Sequence, residues 1–250
     1  MAYPERVPTL QETPGPLHDA LVERWGFEIV SGQRPVGSRI GSEQAAAELG
    51  VSRTVVREAI RVLESLGLVV VRRRVGATIQ SSEHWSPFDH RVLRWRLSGP
   101  EQIPLLRSLG ELRSAIEPLA ARLAAERATP EQCGALTAAA IGMASTSRAA
   151  NTPAYLNHDV DFHLTLLRAS GNPMLIGLGD IVVAVLEGRT ENSLMPAVAN
   201  ATALRLHGDV AAAVQAGDGA AAQAAMRGIV AETSEAIEAI AREHRADTAS

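Results

Sequence analysis

The sequence predicts a mainly α protein in two parts. An N-terminal helix-turn-helix unit with a β wing is followed by an all-α bundle of six or seven helices. Three observations predict it. First, 46% of the 250 residues are hydrophobic but only 3% are aromatic. The cores are therefore aliphatic, built from Ala, Leu and Val, and such an Ala-rich chain favours helix. Second, the stretch VSRTVVREAIRVLESLG, Val51 to Gly67, has helical period. Apolar residues share one side, while Arg53, Arg57 and Arg61 stack at four-residue spacing on the other. Third, from about residue 101 onward one helical pattern follows another, separated by Pro, Gly and Asn breaks.

Length and charge bound the rest. The chain has room for two domains. A net charge of −4 gives no global basic field, so any nucleic-acid surface must be local. Every basic side chain besides histidine is Arg, the residue whose fork matches phosphate and guanine. The one cysteine, Cys133, excludes an intrachain disulfide and a cysteine-only zinc site. It is expected to be a small buried apolar residue. With no basic segment leading into an apolar run, and no apolar stretch of membrane-spanning length, the expectation is a cytoplasmic protein without membrane contact.

Taken in order, residues 1–15 are a proline-rich flexible arm. Residues 16–80 form the helix-turn-helix unit. Its first helix runs from Pro16 to about Val30, with Leu17, Leu21, Trp25 and Ile29 on one side. A turn-rich break, Ser31 to Gly37, leads to a short helix from Ser42, its expected cap, to Leu49, with Ala46, Ala47 and Leu49 inward. Gly50 ends it. Ser52 then caps the Val51–Gly67 helix and leaves Arg53 and Thr54 in its first turn. That turn is the part of a recognition helix that meets base edges in the major groove. Val55, Ile60, Leu63 and Leu66 form the expected inward stripe, with Val56 and Val62 at its margins. Leu68 to Arg72 and Ala77 to Gln80 read as a hairpin, with Arg72, Arg73 and Arg74 at or beside its tip. A basic β tip after a recognition helix is a wing that approaches phosphates or the minor groove.

Residues 81–100 are the joint, where a helix from Pro87 to Leu97 is expected to bury Phe88, Val92 and Trp95 and to dock the two parts. Residues 101–245 are the bundle, with helices expected at Ile103–Ala128 and at about 131–148, 153–170, 173–190, 199–216 and 219–244. Leu106, Leu109, Leu112, Ile116, Leu119 and Leu123 form an apolar ladder on the first. On the third, Asp159 and His163 stand one turn apart on one side, a carboxylate and an imidazole able to share a metal ion. His207, on a later helix, is a third donor if the bundle brings it near.

The run EQAAAELGVSRTVVREAIRVLESLGL, Glu43 to Leu68, resembles the GntR family of bacterial transcription regulators. The resemblance implies DNA contacts from Arg53, Thr54 and Arg57, with Arg73 and Gly76 in the wing. Gln44 stands where some members carry a DNA-touching Arg, and Gly41 where a Pro is usual. The stretches Leu109–Ala125 and Asp159–Asn172 resemble the FCD effector-binding domain of the FadR-type subfamily. The joint, W-x-x-F-D-x-x-V-L-R-W from Trp85, is similar to its sugar-acid branch. The family's metal site has one Asp and three His. Asp159, His163 and His207 match three of these, and Ile229 occupies the place of the fourth. The implied cofactor is a divalent metal, zinc, nickel or manganese, or else the pocket works metal-free.

The resemblance further implies a homodimer bound to pseudo-palindromic operator DNA. Its effector is expected to be a small carboxylate or sugar acid that releases a repressor; activation with the same architecture is the alternative. Arg113 matches the family's pocket Arg, although Glu117 at i+4 offers it a simple ion-pair partner. Arg189 is the second candidate for the effector carboxylate. An Asp-His-His site with an open position also activates water in hydrolases, but no nucleophile motif or phosphate loop accompanies it here. The expectation is therefore a regulator and not an enzyme.

Overall fold

The computed structural model describes residues 16–73, 75–191 and 194–248. The proposed arm at residues 1–15 and Arg74 of the wing lie outside the described residues. The chain forms two compact units that divide between Pro87 and Phe88.

The first unit contains α1 (Pro16–Val30), β1 (Arg39–Ile40), α2 (Ser42–Leu49), α3 (Arg53–Ser65), β2 (Val69–Arg72) and β3 (Gly76–Ile79). Ser52 caps α3: its side chain accepts a hydrogen bond from the Val55 amide. With the cap there, the buried residues of α3 are Val56, Ala59, Ile60 and Leu63, an i, i+3, i+4, i+7 set. Val56 is thus central and Val55 only half-buried, which exchanges their expected places. Leu21, Trp25 and Ile29 of α1 are buried as expected, whereas Leu17, in the first turn, is 65% exposed. In α2 the cap position falls on Gly41, without a side-chain bond, and not on Ser42. Shifting the start by one residue turns Ala45 and Ala46 inward, Ala47 outward, and leaves Leu49 half-buried.

The wing is a three-stranded antiparallel sheet in the order β1-β3-β2. Strand β1 was hidden in the stretch after the turn-rich break. It is two residues long, too short for a period, and exists because Arg39 and Ile40 pair with Thr78 and Ala77. Beyond β3 the chain folds back on the end of α3. The Ser86 amide donates to the Leu66 carbonyl at 2.8 Å, Gln80 Nε2 donates to the Gly67 carbonyl at 2.9 Å, and Trp85 is buried. Gly67 makes this return possible. Its φ is +77°, and a Cβ there would sit 1.9 Å from the His84 carbonyl oxygen.

The second unit is all helix: α4 (His90–Leu97), α5 (Gln102–Arg127), α6 (Pro130–Thr146), α7 (Pro153–Ala169), α8 (Pro173–Ile176), α9 (Gly179–Glu191), α10 (Ala201–Ala216) and α11 (Gly219–Thr248). Helix α4 starts later than the expected Pro87, because Asp89 caps it by accepting from the Arg91 amide. Phe88 therefore precedes the helix and is 57% exposed, while Val92, Leu93 and Trp95 are buried. The single helix expected over 173–190 is two, α8 and α9, separated at Gly177 and Leu178. Helix α5 is the centre of this unit and packs most extensively on α11. Leu106, Leu109 and Leu123 of its ladder are buried, with Leu112, Ile116 and Leu119 half-buried. Cys133 is half-buried and packs against the core of Leu136, Met143, Phe162 and Met226.

Gly67→Ala is expected to destabilise the first unit by about 2–4 kcal/mol, since it combines strained backbone with a clash against another segment's backbone. Gly50, with φ +66° but open space around its Cβ position, is the control. Gly50→Ala should cost only about 1–2 kcal/mol. Chemical-denaturation midpoints of the two variants test the difference.

Candidate functional site

On the first unit, α3 presents Arg53, Thr54 and Arg57 to solvent. Arg53 Nη1 donates to Glu43 Oε1 on α2 at 2.6 Å, with both side chains about 70% exposed (69% and 73%). Such an exposed pair is weak, so it holds Arg53 extended without locking it. Arg57 has no ion-pair partner among the described residues, whereas Arg61 is paired with Glu58 at 2.6 Å. Gln44 donates to Glu48 at 2.8 Å and so is engaged on its own helix. Arg72 and Arg73 are exposed at the wing. Gly76 pairs with Arg72 at the turn, with φ +88° and a Cβ position 3.3 Å from the Ile40 carbonyl oxygen. Its glycine is thus required by the sheet itself.

In the second unit five helices converge on one cavity of about 60 Å³. Helix α5 brings Arg113, α7 brings Tyr155, Asp159 and His163, α9 brings Arg189, α10 brings His207, and α11 brings Ile229, Glu232 and Thr233. All the residues singled out in the sequence for metal and effector therefore meet here. Asp159 Oδ1 lies 3.4 Å from His163 Nε2 and 3.6 Å from His207 Nε2. One donor atom from each of the three lies within 4.8 Å of the others, and all three residues are buried.

The tautomers follow from the second partners of each ring. His207 Nδ1 is 2.7 Å from the Ala203 carbonyl. A carbonyl only accepts, so Nδ1 carries a proton and the neutral ring's lone pair is on Nε2, facing Asp159. Nε2 has no hydrogen-bond partner. His163 Nδ1 lies 3.1 Å from Glu117 Oε2, out of line for a hydrogen bond. Among the described residues four buried side-chain nitrogens lack a partner, and three are here: Arg113 Nη1, His163 Nδ1 and His207 Nε2. Buried polar atoms without partners are uncommon and call for an account.

Glu117 was visible in the sequence only as a possible partner of Arg113, and it is the site's hidden member. It is fully buried and takes a two-pronged contact from Arg113, Nε at 2.8 Å and Nη2 at 3.2 Å. Burial alone would raise its pKa, but Arg113 and His163 outweigh that and hold it at about 2. Burial opposes charge on His163 too, and Glu117 and Asp159 overcome it, raising its pKa to about 9. Asp159 is held far below the usual carboxylate range, against burial, first of all by His163. Arg189 differs. It is 6% exposed with no hydrogen-bonded anion among the described residues, and burial, then Arg113, lower its pKa. Tyr155 is pushed upward by burial and by Asp159. It stands four residues before Asp159, and Glu232 three after Ile229. Helical spacing puts both on the same faces as residues already singled out, but their polarity alone did not distinguish them.

A winged helix-turn-helix unit with an arginine-lined recognition helix, joined to an all-α unit with a polar buried cavity, defines a DNA-binding regulator with a sensor domain. Residues 18–79 match the family described as bacterial regulatory proteins, gntR family, and residues 108–232 match the FCD domain. The chain belongs to the GntR family and carries an FCD domain. It is 28% identical to the galactonate operon transcriptional repressor of Escherichia coli K12 over 89% of this chain and 97% of that one. It is 31% identical to the transcriptional regulator LutR of Bacillus subtilis over 79% and 90%. A solved structure of Lar, which controls the Listeria monocytogenes agr system, aligns over 94% of this chain and 99% of that one. Its TM-score is 0.59 at 16% identity, a likeness of fold. The protein is a DNA-binding transcription regulator, and its Asp159-His163-His207 group could hold a metal ion. Among the described residues no helix is long and apolar enough to cross a membrane.

Removing Glu117 leaves Arg113 charged in a site where both partners are at most 1% exposed. Glu117→Ala is expected to destabilise the second unit by about 3–5 kcal/mol, read from its unfolding free energy.

Proposed function

We propose that the protein is a homodimeric, metabolite-responsive repressor, released from its operator when a small organic acid binds the cavity of the second unit. The observation that carries the effector reading is Arg189. A buried guanidinium without a hydrogen-bonded anion is costly, and this one lines the same cavity as Arg113, which is paired with Glu117 but keeps Nη1 unpartnered. The free donors of the two arginines suit an anion from outside the chain. A carboxylate matches the fork of Arg. The relative that regulates a galactonate operon supports a sugar acid. The cavity of about 60 Å³ is on the order of two water volumes, so a short acid fits directly and a longer one requires the wall to give way.

The residues present fit a divalent metal. Nε2 of His207 is unpartnered and already in the ligating tautomer. His163 offers Nε2 on the same side, with the Glu117 carboxylate 3.1 Å from its Nδ1. Asp159, His163 and His207 would hold zinc, nickel or manganese; Ile229 offers no ligand atom, so coordination is completed from outside the chain. The bound ion would supply a Lewis-acid partner for the effector's oxygens. Without it, His163 holds a proton between Glu117 and Asp159. We assign the site to sensing and not to turnover, in keeping with the regulator family.

The first unit supplies the output. Arg53, Thr54 and Arg57 on α3 read the major groove, and Arg73 and the turn at Gly76 approach the backbone from the wing; Gln44 adds a weaker contact from α2. Two copies related by a two-fold read the two halves of a pseudo-palindrome. Effector binding shifts the balance between DNA-competent and released forms through its unequal affinity for them.

Arg57→Ala should abolish specific operator retention in a gel-shift titration while the unfolding transition stays unchanged. Retained affinity would remove Arg57 from the interface. Arg189→Ala should lose the rise in melting temperature that an acid effector produces in the parent protein. A thermal-shift screen of organic acids, with and without Zn²⁺, Ni²⁺ or Mn²⁺, checks it; an undiminished shift in the variant would place the acid elsewhere.

A further inference from the structure

One set of groups lining the cavity favours anions: Arg113, Arg189 and, with a metal bound, the metal-holding group. That set by itself would hold an acid with two carboxylates at least as well as an acid with one. Helix α11 adds Ile229, Glu232, Thr233 and Ala236 to the same cavity, an i, i+3, i+4, i+7 face. Ile229, the family's fourth-ligand position, is apolar and 3% exposed. One turn further on, Glu232 places a carboxylate on the same face.

Glu232 is half-buried and held through one oxygen. Its Oε1 accepts from Asn200 Nδ2 at 3.0 Å. Asn200 cannot turn its amide round, because its Oδ1 caps α10 by accepting from the Thr202 amide at 2.8 Å. Oε2 of Glu232 has no hydrogen-bond partner among the described residues. The charge of Glu232 is felt at Arg189 and at the Tyr155 hydroxyl, so it belongs to the same electrostatic space as the cations. It does not belong to the group whose ligand atoms converge on one point; that group is Asp159, His163 and His207.

We propose that Glu232 is a specificity-determining residue that reads a part of the effector other than its metal- and Arg-bound carboxylate. It accepts a hydrogen bond from a hydroxyl there and repels a second carboxylate. The cavity therefore selects hydroxy acids with one carboxylate over the corresponding diacids. A carboxylate is acceptor-only, so a hydroxyl satisfies it and another carboxylate cannot. Two anions brought together repel each other, and at the half-buried Glu232 less water screens them than in open solvent. Rejection of the wrong ligand by a repulsive group is a general route to specificity. The proposal rests on the effector reading above and adds which acids are admitted.

The test uses the full chain loaded with Zn²⁺ and two matched pairs: glycerate with tartronate, and gluconate with glucarate. Within each pair a terminal hydroxymethyl is replaced by a carboxylate. Calorimetric titration of the parent protein should give at least one pair in which the monoacid binds about tenfold or more tightly than its diacid. In Glu232→Gln that gap should close, mainly by a gain in diacid affinity, with Zn²⁺ affinity measured alone unchanged. A gap that persists in Glu232→Gln, or diacids that bind the parent as well as monoacids, overturns the proposal and leaves the effector reading standing. A loss of Zn²⁺ affinity of tenfold or more in the variant, measured without acid, also overturns it, and makes Glu232 a metal ligand instead. If no mono- or diacid binds the Zn²⁺-loaded parent in a wider panel, the effector reading itself fails and the proposal falls with it.

Discussion

The ion pair between Arg113 and Glu117 is the constraint on which the second unit's chemistry depends. Both side chains are buried on α5, the helix that α11 covers. Neither charge could stay in the core alone, and the two-pronged contact lets each cancel the other's desolvation. The pair then acts outward. Glu117 Oε2 lies 3.1 Å from His163 Nδ1, and His163 Nε2 faces Asp159 at 3.4 Å. Arg113 leaves Nη1 unused at the cavity. One ion pair thus places a carboxylate beside the group that could hold a metal and a guanidinium at the same cavity.

The rest of the site consists of groups whose partners are missing. His207 is fixed at Nδ1 by a backbone carbonyl and left open at Nε2; Arg189 is buried with no hydrogen-bonded anion among the described residues. A folded protein retains such groups at sites where something from outside completes them. The first unit shows the opposite arrangement. The arginines proposed to meet DNA are exposed and loosely paired, at small cost in the free protein. The two candidate surfaces therefore differ in physical kind: a small cavity lined by buried charge, and an open face lined by exposed arginines.

Much of this was legible along the chain. The Val51–Gly67 helix, its Ser52 cap and its arginine ridge follow from local spacing, as do the helix boundaries at Thr129-Pro130, Thr152-Pro153 and Gly217-Asp218. Asp159 and His163 share a helix face by spacing alone. Errors gathered where a one-residue phase or a distant partner decides. Val55 and Val56 exchanged places, Ala47 faced out, and Phe88 fell outside α4 once Asp89 took the cap. Strand β1 needs β3 to exist.

What the sequence by itself determined is the set of helices, the recognition surface and the identity of the candidate ligands, because helical period and capping act over a few residues. Only the tertiary structure decided that His207 joins Asp159 and His163, that Arg189 is buried without a hydrogen-bonded anion, that Glu117 lies beside His163, and that Glu232 lines the cavity with Ile229. Those facts depend on how α5, α7, α9, α10 and α11 pack. The rotation of one helix against another is set by the sum of many aliphatic contacts, none of which is marked at the residue whose function it decides.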